Sequence, residues 1–218
     1  MERLIRNFGI FIFTGLLLLA GNSLIFNFDN VPVGKIPEGF TPAQTANRGT
    51  LAQWKVVEDE TAPSGGRALM GRPNPKTNYG ACYNVLIYQK AKLKDLEISV
   101  KIKPISGRED QGGGLLWRAQ DENNYYVVRW NPLENNFRLY YVKNGKRRML
   151  ASARLVTDAS KWHEIKVMVQ GKKIECYFDG ELKLKFYSSV FSEAGKFGLW
   201  TKADAHSEFD DLEVKEVQ

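Results

Sequence analysis

The stretch that decides the fold runs from Gly112 to Val142 and reads GGGLLWRAQDENNYYVVRWNPLENNFRLYYV. Three segments rich in aromatic and β-branched residues are separated by polar turns at 121–124 and 131–136. Aromatic and β-branched residues favour pleated strands, whereas Asn, Asp and Pro favour the turns between them. The stretch therefore predicts a three-stranded antiparallel meander.

Outward from this meander, the same alternation recurs. Residues 96–103 (LEISVKIK) alternate apolar and polar side chains, which predicts a strand with one buried face. Residues 173–186 predict a tight hairpin that turns at Asp179 and Gly180. No window predicts a long amphipathic helix, and no internal repeat suggests a propeller or solenoid. The sequence thus predicts an all-β sandwich or jelly roll of two antiparallel sheets, as one domain over residues 24–218.

The N-terminus has the pattern of an export signal. A short basic start is followed by the uncharged apolar run FGIFIFTGLLLLA at 8–20. We interpret residues 1–23 as a signal peptide and expect a periplasmic or secreted protein. Because Leu24, Ile25 and Phe26 prolong the apolar run, an uncleaved membrane anchor is the alternative, and the only membrane contact that we predict.

Two further features bear on the compartment and the partners. An oxidising compartment would permit a disulfide between Cys82 and Cys176, the alternative being two separately buried thiols. The net charge of +6 is spread along the chain, and the densest basic cluster, KNGKRR at 143–148, surrounds an Asn-Gly hairpin turn. We therefore expect no nucleic-acid partner.

Several segments together resemble a known superfamily. The meander is followed by WHEIKV at 162–167, by GKFGLW at 195–200 and by FDDLEV at 209–214. In this order they resemble the concanavalin A-like lectin and glucanase superfamily, in particular its laminin-G-like jelly-roll domains. A looser resemblance is to the 3-keto-disaccharide hydrolase domain family. The resemblance implies two stacked, curved sheets with a concave face that most often holds carbohydrate.

Strand parity selects the side chains that would line such a face. We predict a ligand surface formed by Arg118, Tyr125, Arg129, Asn131, Arg138, Tyr140, Trp200 and Lys202. Aromatic rings stack on the C–H faces of sugars, and guanidinium and amide groups hydrogen-bond their hydroxyl pairs. Three arginines on neighbouring strands favour an acidic glycan. The alternatives are a cross-strand ion pair for each arginine and core packing for each aromatic ring.

Common catalytic motifs are absent from the sequence, and a metal site is implied by the resemblance alone. The Glu-x-Asp-x-Glu motif of the superfamily's retaining glucanases is absent, and the acidic cluster at 58–60 is consecutive, so its side chains would alternate between faces. No Gly-x-Ser-x-Gly elbow and no His-Glu-x-x-His motif occurs. We expect no cofactor beyond a structural Ca²⁺, which the resemblance implies near Asp29, Asp210 and Asp211. The alternative is that these acids cap turns.

The sequence therefore leaves three functions open. The first is an exported, lectin-like carbohydrate-binding module without a conventional catalytic motif. The second is a glycoside hydrolase of the 3-keto-disaccharide hydrolase type. The third is a structural domain of the cell envelope.

Overall fold

The computed structural model describes residues 23–217. The predicted signal segment, residues 1–23, lies outside the described residues apart from Ser23. The strands are β1 Ser23–Phe26, β2 Phe40–Gln44, β3 Gln53–Glu58, β4 Arg67–Arg72, β5 Tyr83–Tyr88, β6 Leu96–Ser106, β7 Gly113–Asp121, β8 Asn124–Asn131, β9 Asn136–Lys143, β10 Lys146–Arg154, β11 His163–Gln170, β12 Lys173–Phe178, β13 Glu181–Tyr187, β14 Lys196–Lys202 and β15 His206–Glu216. Within this range the helical content is one 3₁₀ turn, Thr45–Asn47.

The strands form two antiparallel sheets. One has the order β13-β12-β11-β6-β15-β4-β3, with β1 added on β15, and we call it the eight-stranded sheet. The other has the order β10-β9-β8-β7-β14-β5-β2, and we call it the seven-stranded sheet. The predicted all-β sandwich is confirmed. The meander is confirmed as β7-β8-β9, and the hairpin at 173–186 as β12-β13.

The core lies between the two sheets. Alternate residues of β6, from Leu96 to Ile102, are buried there, as their period of two predicts. They meet Trp117, Tyr126 and Trp130 of the seven-stranded sheet. Burial of large apolar side chains on both facing surfaces is the main term that holds the layers together.

Of the two alternatives for the cysteines, the structure has the two separately buried thiols. Cys82 and Cys176 are both free and buried. Cys176 lies in the inter-sheet core. Cys82 directly precedes β5, and its thiol accepts a hydrogen bond of 2.9 Å from Gln44 Nε2. Burial raises the pKa of the Cys82 thiol to about 11, which disfavours the reactive thiolate.

The first described strand lies beside the last one. Ser23 pairs with Lys215 and Phe26 with Leu212, in antiparallel register. Between residues 23 and 217, no helix is long and apolar enough to cross a membrane.

Candidate functional site

A second apolar cluster lies on the outer face of the seven-stranded sheet. Its members come from this sheet alone and are separate from the core between the layers. We call this surface the outer face. Tyr83, Tyr125, Tyr140 and Trp200 form its aromatic part, all of them buried. The parity that we predicted for Tyr125, Tyr140 and Trp200 is therefore correct.

Arg147 covers this aromatic cluster. Its guanidinium carbon lies 4.2 Å from the ring centroid of Tyr140, 4.9 Å from that of Tyr83 and 5.7 Å from that of Trp200. A guanidinium over aromatic faces is held by cation–π attraction. Its Nη1 is buried and has no hydrogen-bond partner among residues 23–217.

The 3₁₀ turn at Thr45–Asn47 also crosses the outer face. Thr45 Oγ1 lies 2.8 Å from Tyr125 OH and donates to the carbonyl of Glu122, while Ala46 N donates to Asn123 Oδ1 at 2.7 Å. Trp200 Nε1 donates to the same Tyr125 hydroxyl at 3.2 Å. The turn thus ties β2 to the turn between β7 and β8.

The stacking role predicted for these rings is wrong as a consequence. Trp200 and Tyr125 expose none of their surface, and Tyr140 is buried as well. Burial also raises the pKa of Tyr125, whose hydroxyl is held between two protein partners. The three rings support the surface and offer no face on which a sugar could stack.

Beside the aromatic cluster lies a charged group of side chains. We call Asp110, Arg129, Glu134, Arg138 and Lys202 the polar cluster. Glu134 Oε2 accepts from Arg129 Nη2 at 3.0 Å and from Arg138 Nη1 at 3.1 Å. Asp110 Oδ2 accepts from Lys202 Nζ at 2.8 Å, and its Oδ1 lies 3.9 Å from Arg129 Nη1. The register places Arg129 opposite Arg138, so the two predicted arginines of β8 and β9 converge.

Arg129 is the central member of the polar cluster. It is 1% exposed, and its Nε and Nη1 have no hydrogen-bond partner in the described part of the chain. Burial opposes its charge, but Asp110 and Glu134 outweigh burial and raise the pKa of Arg129. A buried, charged donor without an acceptor is costly, so these two N–H groups favour a hydroxyl or carbonyl oxygen beside them.

The pKa values of the two carboxyl groups beside Arg129 are shifted in opposite directions. Burial raises the pKa of Asp110, although Arg129 and Lys202 pull it down. At Glu134 burial also raises the pKa, but hydrogen bonds from Asn136 and Arg129 prevail and lower it to about 2. Glu134 is therefore ionised at neutral pH.

Arg118 is not part of this site, and that prediction is wrong. A bulge in β7 gives Arg118 a φ of 47° and removes it from the alternation. Its guanidinium donates to the carbonyls of Lys94, Phe191 and Gly171 and to the carboxylate of Asp95, at 2.7 to 2.9 Å. With these partners Arg118 ties together loops at the other end of the sandwich.

Asn131 lies on the predicted face but has a local role. It is buried, and its Oδ1 accepts from the backbone N–H of Glu134 at 3.2 Å. This is an Asx-type contact that shapes the turn between β8 and β9. Asn131 therefore positions Glu134 and is itself shielded from a ligand.

The accessible part of the site is a hollow at its rim. The hollow has a volume of about 350 Å³ and is lined by Arg48, Gly49, Thr77, Tyr79, Gly80 and Ala81. Tyr79 is 68% exposed. Ala81 packs against the aromatic cluster, and Gly80 N donates to Glu109, the neighbour of Asp110. The hollow therefore adjoins both the aromatic and the polar clusters.

Loops fixed by side-chain hydrogen bonds form the walls of this hollow. Asn78 Nδ2 donates to the carbonyl of Thr50 and to Asn84 Oδ1, at 2.8 and 2.7 Å. Thr50 Oγ1 lies 2.8 Å from Thr77 Oγ1. Since these contacts join residues far apart in sequence, the hollow is a preformed feature of the fold.

The aspartates predicted to bind calcium do not form a three-acid cluster. Among residues 23–217, no group of three or more His, Cys, Asp or Glu side chains could hold a metal ion. Both oxygens of Asp210 accept protein hydrogen bonds, from Ser64 and from the backbone of Asp211. Asp29 Oδ1 is buried without a partner. These side chains fit a calcium site poorly without further ligands, and the ion stays a prediction.

Residues outside the regular alternation were missed by the sequence reasoning. Glu134 lies in a turn, and Asp110 and Tyr79 lie in loops, where strand parity predicts nothing. Arg147 could have been found. A two-residue turn at 144–145 pairs Val142 with Arg147, which places Arg147 on the same face as Tyr140.

No protein-family model and no curated protein matches the chain. Among solved structures it is similar to the carbohydrate-binding module CBM66 from Bacillus subtilis, with 21% identity and a TM-score of 0.64, over 82% of this chain and 96% of that one.

Two enzyme-related structures are also similar. One is a β-glucanase from Bacillus licheniformis, with 14% identity and a TM-score of 0.58, over 91% of this chain and 100% of that one. Another is domain 4 of AbnA, a GH43 extracellular arabinanase from Geobacillus stearothermophilus, in complex with arabinotriose; it is 15% identical with a TM-score of 0.55, over 88% and 90% of the two chains. At these identities the likeness establishes the fold. The chain has the concanavalin A-like jelly-roll fold.

Proposed function

We propose that the protein binds carbohydrate on the outer face, at the hollow and the adjoining polar cluster. The observation that carries this proposal is the preformed hollow with exposed Tyr79 in its wall, beside partly exposed Arg138 and Glu134 of the polar cluster. Because Glu134 already holds the guanidinium of Arg138 in place, that group loses little conformational entropy when it binds an oxygen, and buried Arg129 fixes Glu134 in turn.

The neighbouring groups suit a sugar. Exposed Tyr79 offers an apolar ring to C–H faces, and Glu134, whose side chain is 41% exposed, can accept from hydroxyl groups. Arg48 and Arg147 add positive charge around the hollow. The cations therefore favour a glycan that carries carboxylate, sulfate or phosphate groups, as in the acidic glycan predicted from the sequence. The carbohydrate-binding module and the arabinotriose complex named above support a glycan ligand by analogy of fold.

The test is a glycan-array screen at neutral pH, followed by calorimetric titration of each glycan that binds. We expect Tyr79→Ala and Arg138→Ala to weaken binding about tenfold or more, because each removes one contact surface. Tyr187→Ala is the matched control, since Tyr187 is equally exposed but lies on β13 of the other sheet. If no glycan binds, or if all three variants bind alike, the proposal fails.

Glycoside cleavage is a second candidate. It is favoured by the opposite pKa shifts of Asp110 and Glu134 about one arginine, a pattern seen in acid/base pairs. Against it, Asp110 is 1% exposed and bonded to Lys202. Turnover of an oligosaccharide panel, lost in Glu134→Gln, would support cleavage. Stable binding without product would support the lectin-like function.

Export remains part of the proposal, with the N-terminal segment as signal or anchor. Mass determination of the protein recovered from outside the cytoplasm would distinguish cleavage after Ser23 from an intact anchor.

A further inference from the structure

A separate cleft lies at the end of the sandwich where β4 and β6 end and β15 begins. It has a volume of about 340 Å³, and its polar lining consists of Arg72, Ser106, Arg108, Asp204 and His206. The loop 107–110 connects it to the polar cluster, of which the last loop residue, Asp110, is a member. On the cleft side this loop presents Arg108, whereas Glu109 and Asp110 turn towards the outer face.

The charge of this cleft is unbalanced. Arg72 and Arg108 are exposed, and their guanidinium groups form no hydrogen bond or ion pair within residues 23–217. Asp204 is the one carboxylate of the lining, and its oxygens accept from the backbone N–H groups of Arg108, Glu109 and Asp110 at 2.8 to 3.1 Å. Although burial opposes them, these donors lower the pKa of Asp204. The carboxylate therefore fixes the loop and leaves both arginines free for another anion.

His206 completes the lining. Its Nε2 is buried and has no hydrogen-bond partner in the described chain. Burial and, after it, the charge of Arg72 lower the pKa of His206 to about 4, so the ring is neutral at physiological pH. An anion that neutralised Arg72 would remove one of the two causes of that shift. His206 is thus a built-in reporter of charge in the cleft.

We propose that this cleft binds a small oxyanion, a carboxylate, sulfate or phosphate group, between the guanidinium groups of Arg72 and Arg108. Guanidinium forks match the paired oxygens of all three groups, which makes Arg the usual residue for such ligands. The proposal does not rest on glycan binding at the outer face, because the two sites share no lining residue.

The probe is inorganic sulfate, whose charge is constant over the pH range of the titration. His206 is followed by NMR at a constant ionic strength of about 0.15 M, where general screening is held fixed. The chain has two histidines, and His163, bonded to Asp179, is the internal control. We expect sulfate to cause a saturable shift of the His206 resonances and a rise in the pKa of His206. The positions of the His163 resonances should not respond to sulfate.

The variants Arg72→Ala and Arg108→Ala test the contribution of each arginine to sulfate binding separately. Both residues are exposed, so folding should be retained. Each variant should weaken sulfate binding about tenfold, whereas Arg154→Ala, which removes an equal charge from exposed β10, should have no effect. Because Arg108→Ala leaves the Arg72–His206 interaction intact, loss of the sulfate-induced shift in that variant reports the ligand itself.

Parallel titrations with inorganic phosphate, acetate and glucuronate distinguish the source of the group. Tighter binding of sulfate and phosphate would indicate a sulfated or phosphorylated polymer, and tighter binding of glucuronate would indicate an acidic sugar. No saturable shift with any of the four anions would overturn the proposal. So would equal weakening in all three arginine variants, since that would show screening of the whole surface.

Discussion

Two arginines of adjacent strands show how differently the two ends of the seven-stranded sheet are built. Arg118 and Arg129 are each 1% exposed, and each follows a run of apolar residues. Arg118 has an acceptor for Nε, Nη1 and Nη2, whereas Arg129 has none for Nε and Nη1. The first arginine is saturated by its own chain and is structural. The second keeps two N–H donors without an acceptor among residues 23–217.

The largest expected effect comes from Arg118→Met. The substitution removes the side-chain donor of three carbonyls and one of the two donors to Asp95 Oδ1, which should lower the free energy of unfolding by about 3 kcal/mol. Urea denaturation measures it, with exposed Arg154→Met as the control, expected within about 0.5 kcal/mol of the wild type. A loss below about 1 kcal/mol would mean that Arg118 is not the clamp described above.

Next comes Gly195→Ala, which tests the bulge that turns Arg118 inwards. A Cβ on Gly195 would lie 2.3 Å from the carbonyl carbon of Arg118 and 2.7 Å from the Ala119 nitrogen. Backbone cannot yield as a side chain can, so we expect a loss of about 1–3 kcal/mol in the same denaturation assay. Glycan affinity should be unchanged, because the outer-face site is at the other end. Reduced affinity would contradict the separation of the two ends.

Arg129→Met should cost less stability than Arg118→Met. Asp110 keeps Lys202, and Glu134 keeps Arg138 and Asn136, while two unpartnered donors disappear. We expect a loss of about 1 kcal/mol in unfolding and at least tenfold weaker glycan binding. If Arg129→Met were as destabilising as Arg118→Met, the contrast between the two arginines would collapse.

The smallest effect is the pH dependence added by Glu134. Its folded-state pKa of about 2 lies below the ordinary 4.5, so the stability that it contributes is present above pH 4.5 and lost as the pH falls towards 2. Because the side chain is 41% exposed, we expect about 0.5 kcal/mol.

Comparison with Glu134→Gln isolates this contribution. The free energy of unfolding, measured by urea denaturation, should be higher for the wild type at pH 6 and should become equal for the two proteins near pH 2. The raised pKa of Asp110 acts in the opposite sense, contributing stability that is lost as the pH rises; burial, its main cause, is present in both proteins, and the charge of Glu134 adds to the shift in the wild type alone. If the difference in unfolding free energy between the two proteins grew on acidification, the predicted direction of the Glu134 effect would be wrong.

The strands of the two sheets were predictable because the sequence patterns that encode them span only a few residues. The alternation in residues 96–103 and the turns at 121–124 and 144–145 depend on side chains a few positions apart, and β6, β7, β8, β9 and β10 follow them. The face of Arg129 and Arg138 was predictable for the same reason, since parity holds along an uninterrupted strand.

Accessibility was not predictable, because it depends on residues remote in sequence. Trp200 is on the predicted face, but Arg147 lies over its ring, and the turn at Thr45–Asn47 contacts Tyr125, the hydrogen-bond partner of Trp200. Arg118 was missed because one bulge reverses parity. The pairing of Cys82 and Cys176 required a separation that no spacing in the sequence can give.

The pairing of β1 with β15 makes the protein a candidate for circular permutation. Ser23 and Lys215 are directly opposite in the eight-stranded sheet, so a linker of a few residues could join the start of β1 to the end of β15. Both positions lie in the layer that does not carry the outer face. An affinity tag, a surface tether or a fused enzyme attached at either position would leave the proposed glycan site free, which would suit immobilised display for glycan capture.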